Sequence, residues 1–188
     1  ELCARERGFS RKDQDDYAAE SFRRAQEAQK TGKFKTEIVP VEVAGRKGEV
    51  TLVDTDEGPS KVQFEKIPTL KPAFDKNGTV TAANASTIND GAAALVLVSG
   101  DKVKQLGLKP LARLLSYASY AQEPAWFTTA PAEAMLRAVK KTGWTMNDVD
   151  LFEVNEAFAV VALAAQRELK IPMEKLNIRG GAIALGHP

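Results

Sequence analysis

The sequence predicts an α/β chain with a layered core, and three observations carry that reading. Residues 92–98 form a continuous apolar run, the composition of a strand buried on both faces. From Gly91 onward, short extended segments alternate with helical-period segments, the order that places a sheet between helix layers. Hydrophobic residues make up 44% of the 188 and charged residues 27%, enough apolar material for a core and too little charge for a disordered chain.

The elements follow in order. Ser10, with Asp13 three residues later, reads as a capping box, although Asp is shorter than the usual Glu or Gln. Tyr17, Ala18, Phe22, Ala25 and Ala28 then recur at helical spacing, with Arg23, Arg24, Glu27 and Lys30 turned elsewhere and Gly32 as the stop. Residues 37–43 and 49–53 read as a hairpin around Gly45-Arg46-Lys47-Gly48, with Pro40 marking an edge strand. Residues 54–78 lack periodicity, and the interspersed Val62, Phe64, Ile67, Leu70 and Phe74 predict an anchored loop. After the run at 92–98 come a short helix over 101–106 ending near Gly107 and a strand over 111–120. A helix opened by Pro131 then runs to about Lys141, with Gly143 beyond it. A strand over 151–154 leads into a helix over 156–169, and 177–179 reads as one more short strand.

Composition removes several function classes. Lys plus Arg is 26 and Asp plus Glu is 25, so no overall field marks a nucleic-acid partner. No apolar run approaches the roughly 18–20 residues of a membrane-crossing helix. The single Cys, Cys3, excludes an internal disulfide framework, and one Cys with one His cannot build a zinc site from this chain alone. Glycine-rich dinucleotide and P-loop patterns are absent, as is a nucleophile elbow. Acidic pairs such as Asp15 and Asp16 read as a solvated helix face. The sequence opens at Glu1 and halts at His187-Pro188 after a Gly-rich stretch, so it is expected to be an internal piece of a longer chain.

Three stretches are candidates for chemistry. Asn155 stands where a strand becomes a helix, and nine apolar residues follow at 157–165, so that helix is buried on nearly all sides. Asn155 is either the helix N-cap or a site residue near a positive dipole end. Residues 180–188, Gly-Gly-Ala-Ile-Ala-Leu-Gly-His-Pro, hold three glycines in seven positions, which implies tight turns around the only histidine, His187. That histidine is either structural or catalytic. Residues 79–92 are dense in small side chains, which lets a ligand lie close to the backbone, while a polar turn is the plainer reading of Asn84 and Ser86.

Together these stretches resemble the thiolase family, in its acetyl-CoA acetyltransferase branch. The matching motifs are TAANASTINDGAAALVL at 81–97, NEAFA at 155–159 and GGAIALGHP at 180–188, with 69 positions between Ser86 and Asn155 and 32 between Asn155 and His187. The likeness runs over essentially the whole chain, including 9–15 and 70–82. It implies a thiolase-like layered αβαβα fold, incomplete here, with an inserted loop domain. Residues 1–88 would be the CoA-binding and oligomerisation loop domain, 89–109 the end of the N-terminal core half, and 110–188 the truncated start of the C-terminal half.

The implied activity is acetyl-CoA C-acetyltransferase. Two acetyl-CoA condense reversibly to acetoacetyl-CoA and CoA through a cysteine acyl-enzyme, whose cysteines are expected outside this chain. By the same resemblance His187 would activate the nucleophilic cysteine and donate to the thioester oxygen, and Asn155 would hold a water in that oxyanion hole. Ser86 would contact the pantetheine arm of CoA, with Lys61, Val62, Gln63 and Lys66 at its nucleotide end; Gln63 stands where an acidic residue is expected. Ala82, Ala83, Ala85 and Ile183 match a potassium-binding loop in which Phe22 replaces a tyrosine, and no other cofactor is implied. Cys3 matches a non-catalytic position.

The expected partners are acetyl-CoA, acetoacetyl-CoA and further copies of the chain, as dimer or tetramer. Nucleic acid and membrane are not expected partners. The implied location is the cytoplasm, or the mitochondrial matrix in a eukaryote. The isolated piece is expected to be inactive and poorly soluble. Two other readings stay open: a degradative 3-ketoacyl-CoA thiolase, and a non-catalytic acyl-CoA-binding protein on a truncated fold.

Overall fold

The structure is a computed structural model that describes residues 1–46 and 48–188; Lys47, within the expected hairpin turn, lies outside the described residues. Helix α1 (Leu2–Arg7) stops at Gly8, and helix α2 (Arg11–Lys30) begins after Ser10. The capping box is complete. Ser10 Oγ accepts from the Asp13 N–H at 3.1 Å, and the Asp13 carboxylate accepts from the Ser10 N–H at 2.8 Å.

The Ser10 hydroxyl and then the Ser10 N–H hold the Asp13 carboxyl below its usual range. A depressed carboxylate contributes stability above its ordinary pKa of 3.8 and loses it as the pH falls. Ser10→Ala is therefore expected to cost about 1 kcal/mol at neutral pH. In urea melts, the gap from wild type should narrow below pH 4.

The apolar stripe of α2 is buried as predicted, from Tyr17 and Ala18 through Phe22, Ala25 and Ala28. It packs on helix α6 (Ala159–Leu169) and on the short helix α7 (Ala182–Leu185), and one hydrophobic cluster joins all three to Phe152, Val154 and Leu176. Residues from the first ninety positions thus share a core with the last forty. A second, smaller cluster seats Cys3 among Ala4, Phe9, Val160 and Ala164.

Arg24, turned off the apolar stripe, donates to the carbonyls of Leu176 and Met173. Asp15 is buried rather than solvated, paired with Arg11 at 2.7 Å and accepting from Asn84 Nδ2 at 2.9 Å. Both sit on the flank of the apolar stripe, where tertiary polar partners lie within reach of the side chain.

Strands β1 (Val41–Ala44) and β2 (Val50–Val53) form the expected antiparallel hairpin, in register Val41 to Val53 and Ala44 to Val50, but β1 begins only after Pro40 rather than at residue 37. Every residue of both strands is exposed. The segment read as an anchored loop contains helix α3 (Gly58–Lys61) and a 3₁₀ turn (Phe64–Thr69), and Ile67 is its buried anchor. Phe74 is exposed and meets Phe158 edge to face, with ring centroids 6.0 Å apart.

Beyond residue 90 two helices are where the sequence puts them, α6 starts at Ala159 rather than 156, α7 is an addition, and the expected strands are not formed. Helices α4 (Gly100–Leu106, closed by Gly107) and α5 (Ala130–Lys141) match the reading, and a 3₁₀ segment (Pro124–Thr129) precedes α5. The run at 92–98 forms no ladder among the described residues, and Leu95 and Val96 are 90% and 89% exposed. An all-apolar strand is stabilised by neighbouring strands and covering layers, and the described residues supply neither.

Residues 111–120 likewise form no strand. They lie beside α5, where Ser116 Oγ donates to Ala138 O at 2.6 Å and Lys141 Nζ to Tyr117 O at 2.8 Å. The expected strands at 151–154 and 177–179 reduce to one parallel bridge, Phe152 to Leu176, plus a local bridge between Ile178 and Gly180. No helix among the described residues is long and apolar enough to cross a membrane.

Candidate active site

Asn155 is positioned by the stretch of small residues at 79–86. Asn84, fully buried, accepts from the Thr81 N–H and donates through Nδ2 to Asp15 and to the Thr79 carbonyl, which locks that turn. The segment then runs antiparallel to 157–159. Ser86 N–H donates to Ala157 O at 3.0 Å, Ser86 Oγ donates to the same carbonyl at 3.1 Å, and Ala159 N–H donates to Asn84 O at 2.8 Å.

These bonds hold Phe158 extended, so α6 starts at Ala159 with Phe158 at its N-cap. Asn155 is therefore not the cap; it lies four residues ahead of the helix. The cap reading fails because the main-chain groups that would extend the helix are committed to the 84–86 segment instead.

His187 is carried by the Gly-rich stretch. Gly180 turns the chain at φ 78°, α7 makes one short turn, and Gly186 reverses it at φ 98°. His187 N–H then donates to Thr87 O at 2.9 Å. The outcome is a direct contact between Asn155 Nδ2 and His187 Nε2 at 2.7 Å, across 32 positions of sequence.

Both side chains are exposed to solvent. With the ring proton on Nδ1, Nε2 accepts from the carboxamide; with it on Nε2, the carboxamide turns and accepts through Oδ1. Within hydrogen-bonding reach of each other, an imidazole N–H and a carboxamide N–H can both turn to a third oxygen and stabilise an oxyanion.

A cleft of about 530 Å³ lies against α7 and Thr87. Lys61, Val62, Gln63 and Lys66 line it together with Ala82, Ala83, Ile183 and Phe22. Seven of the residues predicted for CoA or potassium thus meet in one cavity. Ser86, Ala85, Asn155 and His187 do not line it, but Thr87, whose carbonyl holds His187, does.

Lys61 is paired with Glu57 at 2.7 Å, leaving Lys66 the cleft lysine without an ion-pair partner among the described residues. The alanines and Ile183 offer a cation only main-chain carbonyls, and Phe22 brings no hydroxyl. Carbonyl oxygens are of the type a potassium ion takes, and Phe22 adds none from its side chain. Sequence reasoning missed Thr87, Asn89 and Glu57 as cleft residues and Glu156 beneath it, because no local spacing marks contacts made across the fold.

Residues 1–101 match the thiolase N-terminal domain and residues 108–188 the thiolase C-terminal domain. The chain is 56% identical over 186 residues to a probable acetyl-CoA acetyltransferase of Dictyostelium discoideum, covering 99% of this chain and 45% of that protein. It is 55% identical over 190 residues to acetyl-CoA acetyltransferase 2 of Arabidopsis thaliana, covering 100% and 47%.

Among solved structures, the Bacillus anthracis acetyl-CoA acetyltransferase superposes with a TM-score of 0.96 at 40% identity, over 100% of this chain and 48% of that one. The Ascaris suum Acat5 thiolase in complex with coenzyme A gives 0.93 at 46%, over 100% and 49%. The chain thus spans about half the length of the curated relatives it matches. It folds as part of the thiolase architecture, and it belongs to the thiolase family.

Proposed function

We propose that this chain works within a longer acetyl-CoA C-acetyltransferase, and that the Asn155–His187 pair is its oxyanion site. The observation that carries the reading is the 2.7 Å contact between two motif side chains remote in sequence. In the forward reaction the enolate of acetyl-CoA attacks an acetyl group held on a cysteine sulfur. The new carbon–carbon bond forms as the carbon–sulfur bond to the enzyme breaks, and the thiolate leaves. Negative charge collects on the thioester oxygen of the enolate, where His187 Nε2–H and a water held by Asn155 would meet it.

Cys3 is buried in α1 and unsuited to carry the acyl group, so the nucleophile and the proton-moving cysteine would come from elsewhere in the longer protein. Residues 1–88 would serve as the loop domain, 89–109 as the end of one core half and 110–188 as the start of the other. The bare apolar run at 92–98 supports that division, since it calls for strands the described residues lack.

CoA would lie along the cleft. Lys61 and Lys66 would face its phosphates, Val62 and Gln63 its nucleotide end, and Ser86, whose hydroxyl hydrogen is already given to Ala157 O, would accept from an amide of the pantetheine arm. Potassium would be held by main-chain carbonyls of Ala82, Ala83, Ala85 and Ile183, stiffening the wall beneath CoA. Assembly as a dimer or tetramer, in the cytoplasm or the mitochondrial matrix, completes the proposal.

Lys66→Ala in the full-length protein is expected to raise KM for acetoacetyl-CoA about threefold to tenfold with kcat unchanged, the loss of one charge-assisted contact. Steady-state kinetics check it. The reading as a whole is tested by thiolysis of acetoacetyl-CoA by the full-length protein, in sodium and in potassium buffers. Turnover that rises with acyl chain length would assign the degradative reaction instead. CoA binding without turnover would leave a non-catalytic binding protein.

A further inference from the structure

Glu156 follows Asn155 in sequence, yet its side chain points the opposite way and is fully buried. Four donors converge on the carboxylate. Oε1 accepts from Tyr17 Oη and from Asn177 Nδ2, each at 2.8 Å, and Oε2 accepts from Ser21 Oγ at 2.7 Å and from the Ile183 N–H at 3.2 Å. Glu156 forms no ion pair among the described residues. Burial and then the Glu156 charge push the Tyr17 hydroxyl well above the usual tyrosine range, so it remains a donor.

A buried carboxylate without a cation is an expensive way to gain stability, because desolvation offsets much of what its hydrogen bonds contribute. Its geometry does something an apolar residue would not. One carboxylate reaches α2 through Tyr17 and Ser21, the loop at Asn177, and the first turn of α7 at Ile183, four residues before His187. The chain leaves room for it: a Cβ on Gly181 would lie 2.5 Å from the Glu156 carboxyl carbon. Both arms of the oxyanion pair are therefore anchored to one group, Asn155 by direct covalent adjacency and His187 through α7.

We propose that Glu156 is a positioning residue that sets the separation of Asn155 and His187 by clamping the segments that carry them. The catalytic part of this inference rests on the thiolase reading above; the geometric part does not. A glutamine cannot replace the carboxylate. The Tyr17 and Ser21 hydroxyls can turn to accept from an amide, but the Ile183 N–H cannot. Asn177 cannot flip either, since its Oδ1 accepts from the Val154 N–H at 2.7 Å and its Nδ2 donates to the Val154 carbonyl at 2.8 Å. In Glu156→Gln the Ile183 N–H loses its acceptor on one orientation of the amide; on the other, the amide nitrogen faces the Asn177 Nδ2 donor at 2.8 Å, and Asn177 keeps only Tyr17 Oη, at 3.1 Å, in place of the carboxylate.

The test uses the full-length protein. Glu156→Gln should lower kcat by about 10- to 100-fold, the scale of a 1 Å misplacement, with KM for acetoacetyl-CoA within about twofold of wild type. In a His187→Ala background the same change should cost no further turnover, because the group it positions is gone. A residue that only stabilised the fold would instead lower activity by the same factor in both backgrounds, and that result overturns the proposal.

Tyr17→Phe with Ser21→Ala removes two donors and keeps the carboxylate. That double variant should show the same background dependence should Glu156→Gln fail to fold. Crystal structures give a readout independent of activity: the Asn155–His187 contact should open beyond hydrogen-bonding distance in the variant, and an unchanged contact refutes the clamp. A wild-type protein without thiolysis would sink the functional reading while leaving that structural comparison decisive for Glu156.

Discussion

In the full-length protein, His187→Ala lowers the rate of acetoacetyl-CoA cleavage at saturating substrate by about 10²- to 10³-fold, the cost of losing one pre-placed oxyanion donor, about 2.7–4 kcal/mol. The expectation follows from where the ring is held. Its main chain is tied to Thr87, its Nε2 to Asn155, and Gly186 sets the approach. A ring held in place beforehand has only to exchange its Asn155 contact for the developing charge, which is why its removal shows in kcat more than in KM. Stopped assays over a range of CoA concentrations separate the two constants. Wild-type kcat in the variant would remove His187 from the chemistry.

A second large effect lies in the fold that carries that histidine. Gly180→Ala destabilises the protein by about 3 kcal/mol, combining the strain of a left-handed backbone with overpacking. At Gly180, with φ 78°, a Cβ would sit 2.6 Å from Ser21 O, 2.8 Å from Ala25 Cβ and 2.9 Å from Ala25 N, all belonging to the buried face of α2. None of these is the tip of a flexible side chain, so the turn itself would have to lift off the helix.

Gly143 offers the comparison. It has φ 80° but open space where a Cβ would go, so Gly143→Ala should show only the backbone part, about 1 kcal/mol. Urea midpoints of the two variants measure the difference. Equal shifts would mean that the Gly180 turn is not pressed against α2.

The two halves of the fold were unequally readable from the sequence. Helix α2 could be read almost to the residue, because its cap and its apolar stripe are local signals, and Ser10, Tyr17 and Phe22 behave as their spacing says. The 92–98 and 111–120 runs could not. Their composition is that of strands, but a strand is completed by partners that periodicity does not name, and among the described residues those partners are missing.

The site divides in the same way. Motif positions brought Asn155 and His187 forward, and the cleft gathers Lys61, Val62, Gln63 and Lys66 of the residues expected at CoA, but not Ser86. The cap reading of Asn155 failed because Ser86 and Asn84 compete for the main-chain groups of 157–159, a contact across some seventy positions. Asp15 and Glu156 were passed over for one reason: a carboxylate reads as surface until its donors are seen, and those of Glu156 come from three separate segments.

A double-mutant cycle on Asn155 and His187 in the full-length protein probes most directly whether the two side chains act as one unit on the developing charge. Asn155→Ala, His187→Ala and the double variant are compared by kcat for thiolysis. Groups in contact at 2.7 Å that share one oxyanion should be strongly non-additive, the double variant losing little beyond the worse single one. Losses that simply multiply would mean that the imidazole and the carboxamide work independently, and the shared oxyanion site would be wrong.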